Sequence, residues 1–339
     1  MTAVTARSTR GVVDLVFRAR EASIVAALAV LVAVTAGANG NFLSAQGLKD
    51  IFLNAAILVL LAVGQTFVII TRNIDLSVGS VVGLVAFTVG DFLAADHGRG
   101  VLLAAGLGVA IGALCGIVNG LLVSFGRVPA LVVTLGTLYV IQGVDHYIAH
   151  GRQINAVDLP PALLSLGNGS VLGVPYLPLI AVVVMLAVGF YLRSYPSGRD
   201  FYAIGSSPEA AGLAGVPVRR RVMAAYLLSG ALAGLAGVLW LARFGTVVAD
   251  AANGWELQVV SAVVVGGVAI TGGVGTVYGA ALGALLLTTI TSALVVLRVD
   301  PFWQQAITGA LLLLAISVDR LLALRVARIL RRRNARHGS

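Results

Sequence analysis

A polar stretch at residues 71–80 separates two long apolar runs near the start of the chain. Its sequence, Thr-Arg-Asn-Ile-Asp-Leu-Ser-Val-Gly-Ser, carries a carboxylate, an amide and three hydroxyls. Lipid offers no hydrogen-bond partner to such groups, so at membrane depth protein must enclose them or they must line a wet cavity. This break is therefore the first candidate for part of a solute path.

The composition places the chain in a membrane. Hydrophobic residues make up 59% of it and charged residues 11%, whereas soluble domains have about 45–50% and about 25%. At about 20 residues per span, we predict an all-α bundle in one domain, 1–339, with about ten transmembrane helices. The candidates are 22–39, 51–71, 77–95, 100–124, 128–149, 172–193, 222–247, 259–271, 277–297 and 302–319.

The eighth candidate, 259–271, is too short to cross as a straight helix. It could be tilted, be extended by Glu256 to Gln258, or join the ninth candidate as a re-entrant hairpin. The arginines before residue 22, followed by an apolar run, mimic a secretory signal peptide. We interpret them as a cytoplasmic arm, 1–21, before an uncleaved first span.

Basic residues set the expected orientation. With the N-terminus inside, only Lys49, Arg99, Arg152, Arg243 and Arg298 of the 23 Lys and Arg residues fall outside. Cytoplasmic loops carry such an excess of positive charge, so we predict that both termini, the loop 195–221 and the basic tail 320–339 are cytoplasmic. The same rule explains the net charge of +9 without nucleic acid. The single cysteine, Cys115, excludes an intramolecular disulfide.

Within the break, Asn73, Asp75 and Ser77 are candidate residues of the path because they could hydrogen-bond a hydroxylated solute. Alternatively, Asp75 or Ser77 accepts hydrogen bonds from free backbone N–H groups at the start of the next helix. Arg72 is interpreted as an anchor at the inner surface or as the partner of Asp75.

A second polar feature lies in the fifth candidate span. Tyr139, Gln142, His146 and His150 share one helix face, and lipid would reject that face, so we expect it to point into the bundle or the path. Polar packing near the outer mouth is the alternative. The HExxH pattern is absent, and we predict no metal site.

The loop 195–221 is predicted to contain a short helix. Ser207 suits the N-cap, Pro208 the first position, Glu209 the positive end of the dipole and Gly215 the C-terminal cap. An amphipathic loop lying on lipid headgroups is the alternative. Glycines at 108, 112, 116 and 120, at 230, 234 and 237, and at 275, 279 and 283 predict close helix packing.

Several chemistries have no candidate residues. The sequence has no GxxxxGK[ST] phosphate loop, no GxSxG elbow and no CxxC pair, so we predict neither an ATPase nor another enzyme. An ion-coupled secondary transporter remains an alternative, although such proteins often bury several paired charges and here only Asp75 and Asp145 qualify.

The stretch TRNIDLSVGS resembles the signature of sugar-type permease subunits of ATP-binding-cassette importers, such as the ribose, rhamnose and autoinducer-2 systems. VTLGTL at 133–138 supports the resemblance, and Glu209-Ala210-Ala211 followed by Gly215 resembles the loop that inserts into the ATPase. The resemblance implies a bacterial inner-membrane permease for a small hydroxylated solute. It also implies a cytoplasmic ATPase that uses ATP and Mg, a second permease copy or sister permease, and an external solute-binding protein.

Overall fold

A computed structural model describes residues 22–300 and, beyond them, residues 302, 303, 305–307, 309, 310, 313, 314 and 317. The predicted arm 1–21 and tail 320–339 lie outside the described residues. The described residues between 302 and 317 are helical, in the region of the tenth predicted span.

Helices make up nearly all of the described structure. They are α1 (Ala22–Ala38), α2 (Ala45–Ile70), α3 (Val78–Ala94), α4 (Val101–Ser124), α5 (Ala130–Ala149), α6 (Pro161–Asn168), α7 (Tyr176–Ser194), α8 (Pro196–Ser206), α9 (Pro208–Leu213), α10 (Val218–Phe244), α11 (Trp255–Val265) and α12 (Val277–Val296). Short 3-10 turns lie at Gly40–Leu43 and Ala156–Asp158, and a two-stranded hairpin pairs β1 (Ser170–Val171) with β2 (Val174–Pro175).

The helical membrane bundle predicted from the sequence is confirmed. Within the described residues, six helices are long and apolar enough to cross a membrane, namely α2, α4, α5, α7, α10 and α12. The apolar helices α1, α3 and α11 are shorter. The eighth candidate span is the 11-residue helix α11, which begins at Trp255, so the extension through Glu256 to Gln258 considered for it is confirmed. The helix ends at Val265, before the predicted residue 271, and irregular chain continues to Thr276.

Helix α2 is the centre of the bundle. Most of its residues are buried, and α7, α10, α11 and α12 pack around it. Helix α4 approaches α10 very closely, because a Cβ atom at Gly112 would collide with the carbonyl of Gly230, and one at Gly230 with the carbonyl of Gly112. The glycine stripes therefore pack helix against helix, as predicted.

Loops at one end of the bundle, here called the outer end, are tied together by polar contacts. Ile154 and Val247 form a bridge, Arg152 pairs with Asp91 at 2.8 Å, and Arg243 donates to Asp50. Helix α6 and the hairpin lie in this region and were not predicted. The sixth span was predicted to begin at residue 172, but the hairpin occupies 170–175 and the helix begins at Tyr176.

The opposite end carries α8 and α9, within the predicted loop 195–221. Helix α8 was not predicted, although it buries Phe201 and Ile204. The Phe201 ring packs edge-on against Phe67 of α2, with ring centroids 5.2 Å apart. Asp200 accepts from Arg221 at 2.8 Å, which ties α8 to the start of α10. The segment before α9 is therefore a packed helix and not an extended loop.

Candidate functional site

Asp75 lies at the centre of the first break, between α2 and α3, with 1% of its surface exposed. Its Oδ1 accepts from the backbone N–H of Ser77 at 3.0 Å and from the Ser77 hydroxyl at 2.7 Å. Its Oδ2 accepts from the hydroxyl of Ser229 at 3.2 Å. Asp75 thus satisfies a free backbone N–H group, which was the alternative considered for it, and it also ties the break to α10.

The rest of this network is formed by side chains of α2, α4 and α5 that were not predicted. The side-chain amide of Asn119 in α4 donates to the Ser77 hydroxyl at 2.8 Å, and its oxygen accepts from Thr137 of α5 at 2.7 Å. With its amide oriented to suit its neighbours, Gln65 of α2 pairs with the backbone of Asp75 at 3.1 and 3.2 Å. Side chains of α2, α4 and α10 therefore hold Asp75 and Ser77, and α5 supports them through Asn119.

Asn119, Thr137 and Ser229 were not predicted as members of this site. A signal was available for Asn119, because it is a lone amide within a predicted span, where a polar side chain must find a partner in protein. Thr137 and Ser229 gave a weaker signal, since small hydroxyl residues are common in helix interfaces within membranes.

Arg72 lies beside the break but does not pair with Asp75, contrary to one of the two predictions for it. Its Nε donates to the carbonyl of Gly205 at 2.5 Å and its Nη2 to the carbonyl of Ser206 at 2.6 Å. Asn73 donates its side-chain amide to the carbonyl of Thr71 at 2.9 Å. The start of the break is therefore bound to itself and to the end of α8.

A second break, residues 266–276, separates α11 from α12 and meets the first. The N–H of Gly273 donates to the carbonyl of Ile70 at 2.8 Å. The hydroxyl of Tyr202 in α8 donates to the carbonyl of Gly275 at 3.1 Å, and burial raises the pKa of Tyr202 to about 12, so this donor stays protonated. Both breaks consequently contact the end of α8.

On α5 the polar stripe lies beside the buried face and not within it. The buried positions include Leu138, Ile141 and Asp145, whereas 69% of Tyr139 is exposed. Gln142 is half-buried, and His146 is exposed, with its Nε2 3.3 Å from Asp250. Within one chain, Tyr139 therefore faces away from the bundle. Among the described residues, no group of three or more His, Cys, Asp or Glu is arranged to hold a metal ion.

Helix α9 has the caps that the sequence predicted. The Ser207 hydroxyl accepts from the N–H of Ala210 at 3.2 Å, Pro208 occupies the first position and Glu209 lies in the first turn. Gly215 has a φ of 84°, a conformation that glycine adopts without strain. Ala211 is buried against the protein, whereas Leu213 is 92% exposed. The helix is thus fixed at both ends and presents an apolar side chain outward.

The chain is similar to known membrane transport permeases over most of its length. Residues 47–316 match the family described as "Branched-chain amino acid transport system / permease component". The Autoinducer 2 import system permease protein LsrC of Enterobacter sp. (strain 638) is 40% identical over 300 residues, covering 88% of this chain and 86% of the relative. Its counterpart in Klebsiella pneumoniae is 41% identical over 309 residues, covering 91% and 89%.

The same protein in Yersinia pseudotuberculosis serotype O:1b is 37% identical over 312 residues, covering 92% of this chain and 88% of the relative. No solved structure matches the chain. The family match extends from the start of α2 to beyond α12 and includes both breaks and α9. The chain belongs to this family of membrane transport permeases.

Proposed function

We propose that the chain is the membrane-spanning subunit of an importer for a small hydroxylated solute, chemically similar to autoinducer-2 or a monosaccharide. The support is the similarity over about nine-tenths of the chain to autoinducer-2 import permeases. The family description names branched-chain amino acids, which makes an amino acid the competing solute. In this proposal a separate ATPase hydrolyses ATP with Mg, an external protein delivers the solute, and a second copy or sister permease completes the path.

The observation that carries the proposal of a separate ATPase is the geometry of α9. Leu213 is 92% exposed on this capped helix, and a partner that covered its apolar side chain would gain free energy from that burial. Short exposed residues surround Leu213, namely Ala210, Gly212 and Ala214, so a groove could approach the helix backbone closely. We propose that the ATPase supplies that groove and that the surface formed by 208–215 is its docking site.

The proposed orientation follows from the positive charges at the same end of the chain. Arg219, Arg220 and Arg221 begin α10 directly after α9, and Arg199 lies in α8. Because arginine accumulates in cytoplasmic loops, we place α8, α9 and both termini in the cytoplasm of a bacterial cell, with the protein in the inner membrane.

We propose that the polar stripe of α5, and not the apolar positions beside it, lines the solute path and faces the second permease. Tyr139, Gln142 and His146 supply hydroxyl, amide and imidazole groups suited to a hydroxylated solute. Asn73, Asp75 and Ser77 lie at the inner end of this route. In the arrangement described, Asp75 and Ser77 already have partners within the protein, so their direct contact with solute requires the network to rearrange.

The docking proposal can be tested with a matched pair of leucines. Leu213→Asp places a charge on the proposed apolar surface, while Leu172→Asp changes a leucine that is 99% exposed in the outer-end hairpin. We expect the partner ATPase to co-purify with Leu172→Asp and not with Leu213→Asp. Equal co-purification would place the docking surface elsewhere.

The solute proposal needs a separate measurement. Vesicles containing the permease, the ATPase and the external binding protein are offered labelled autoinducer-2, ribose or leucine in turn. We expect ATP-dependent uptake of a hydroxylated solute and none of leucine. Uptake of leucine alone would favour the amino-acid solute named by the family description.

A further inference from the structure

We infer that Arg72 is a positioning residue that binds the α8–α9 joint, residues 205–207, to the first break, so that movement of α9 reaches the Asp75 network. This inference deepens the proposed function and rests on it, because it requires α9 to be the surface that the ATPase moves.

The first observation is what Arg72 binds. Its two donors contact the carbonyls of Gly205 and Ser206, which are the last two residues of α8. Carbonyls in the last turn of a helix have no partner within the helix, and a cation there also interacts favourably with the helix dipole. The guanidinium group has a rigid planar fork of donors that reaches two carbonyls together, whereas an ammonium group is a compact charge on a flexible stem. Arg72 therefore caps α8 from another helix.

The second observation is the position of that cap. Ser206 is followed directly by Ser207, the N-cap of α9. A Cβ atom at Gly205 would collide with the carbonyl of Ile70 and the N–H of Gly273, so the joint also touches both breaks through its backbone. If α9 moves relative to α2, either these contacts break or the two breaks move together with α9.

The third observation is the backbone of Arg72 itself. Its φ is 65°, in the left-handed region that residues other than glycine, asparagine and aspartate rarely adopt. Glycine would relieve that strain but would supply no guanidinium. An exposed arginine that is bound to two carbonyls in a strained conformation is consistent with a specific contact and not with a solvated surface charge.

The path from Arg72 to Asp75 is short and held at both ends. The side-chain amide of Asn73 is bound to the carbonyl of Thr71, and the carbonyl of Ile74 accepts from Tyr226 at 3.4 Å and from Thr134 at 3.3 Å. These hydrogen bonds restrict the movement of the backbone between Arg72 and Asp75. A displacement of the Arg72 side chain would consequently displace Asp75.

Hydrogen–deuterium exchange of the permease–ATPase complex tests this inference without requiring the solute. Exchange is measured with and without ATP, with hydrolysis blocked by vanadate, in wild type and in Arg72→Gln. In wild type we expect ATP to change exchange at both 207–216 and 71–77. In Arg72→Gln the change at 207–216 should persist, while the change at 71–77 should fall about tenfold, as expected for the loss of a charge-assisted hydrogen bond.

Arg127→Gln is the matched control. Arg127 is also an arginine with positive φ, at 57°, and within the described residues its guanidinium makes no hydrogen bond or ion pair comparable to that of Arg72. We expect Arg127→Gln to behave as wild type. Arg72→Lys keeps the charge but loses the paired geometry, so the ATP-dependent change in exchange at 71–77 should be intermediate. If Arg72→Gln fails to insert, Arg72→Lys is compared with wild type instead.

The outcomes separate this inference from the docking proposal. A normal ATP response at 71–77 in Arg72→Gln overturns the inference and leaves the docking site intact. Loss of the response at 207–216 in that variant alone also overturns it, because Arg72 would then act in docking. Absence of any response at 207–216 in wild type would show that α9 is not the ATPase surface, and both proposals would fall.

Discussion

The backbone N–H of Gly273 donates to the carbonyl of Ile70 at 2.8 Å and so joins two helix breaks that lie far apart in the sequence. Ile70 ends α2 and Gly273 lies between α11 and α12. Each break is followed by a helix with glycines in its first turns, at 79 and 83 in α3 and at 279 and 283 in α12. The two breaks therefore form one irregular region beside the end of α8, joined by a backbone hydrogen bond.

Two substitutions of Asp75 can separate a role in supporting the break from a role in solute contact. Asp75→Asn keeps an oxygen that can accept from Ser77, and its new amide can donate to the Ser229 hydroxyl, whereas Asp75→Leu leaves Ser77 without its acceptor. An unpaired buried polar group costs about 1–3 kcal/mol. If Asp75 only supports the break, Asp75→Asn should keep both the thermal unfolding midpoint and uptake, and Asp75→Leu should lose both. Reduced uptake by a thermally normal Asp75→Asn would instead indicate contact with solute.

The close approach of α4 and α10 predicts a position-specific cost. Gly112→Ala places a methyl group against the carbonyl of Gly230, and overpacking of this kind costs about 1–3 kcal/mol. Gly106→Ala lies in the same helix and meets no atom within 4 Å, so it should leave the thermal unfolding midpoint in detergent unchanged or slightly raised. Equal midpoints for the two variants would contradict the packing described here.

Much of the fold was predictable because apolar length and polar interruption are local properties. The runs that became α2, α4, α5 and α10 are evident in the sequence, and the caps of α9 follow from Ser207, Pro208 and Gly215 at the correct spacing. Helix α8 was missed because its sequence, from Pro196 to Ser206, is short and mixed in polarity. Its stability comes from packing Phe201 against Phe67, which only the tertiary structure shows.

For the candidate site, the enclosure of Asp75 was predictable from the sequence, but the residues that enclose it were not. Asp75 was identified because a carboxylate in an apolar chain requires enclosure, but nothing local indicates that Asn119 and Ser229 supply it. One of the two interpretations of Arg72 paired it with Asp75, whereas in the structure it donates to the carbonyls of Gly205 and Ser206. Contacts between distant segments depend on helix arrangement, which one sequence does not determine.

The polar stripe on α5 predicts a difference between two neighbouring positions. Tyr139 and Val140 are nearly equally exposed in the single chain, at 69% and 65%. In a Cys115→Ser background, Tyr139→Cys should react with a membrane-impermeant thiol reagent in the assembled transporter, and Val140→Cys should not, because lipid covers it. Preferential reaction of Val140→Cys would show that the path lies on the other side of α5.

Replacement of the stripe residues by leucine tests their function. Leucine is favourable at membrane depth, so a loss of uptake by Gln142→Leu or His146→Leu could not be attributed to poor insertion. We expect uptake to fall several-fold, in line with the loss of one or two hydrogen bonds to solute, while ATPase co-purification stays normal. Unchanged uptake in both variants would remove these residues from the path.

The end of α9 provides the most direct prediction about coupling. Gly215 has a φ of 84° and a Cβ there would meet no atom within 4 Å, so any effect of Gly215→Val must come from backbone conformation. A side chain in this left-handed region costs about 1–2 kcal/mol, which should disturb the end of α9 and reduce ATPase co-purification or solute-stimulated hydrolysis. Gly212→Ala is the control: it also meets no atom within 4 Å, but it lies within the helix and should stabilise α9 by up to about 1 kcal/mol. Glu209→Lys should weaken the helix by about 0.3–1 kcal/mol, because it places a positive charge at the positive end of the dipole. The two measurements are co-purification of the ATPase and solute-stimulated ATP hydrolysis in reconstituted vesicles. Normal values of both for Gly215→Val would place the coupling contact in the second break, at 272–276, and not in α9.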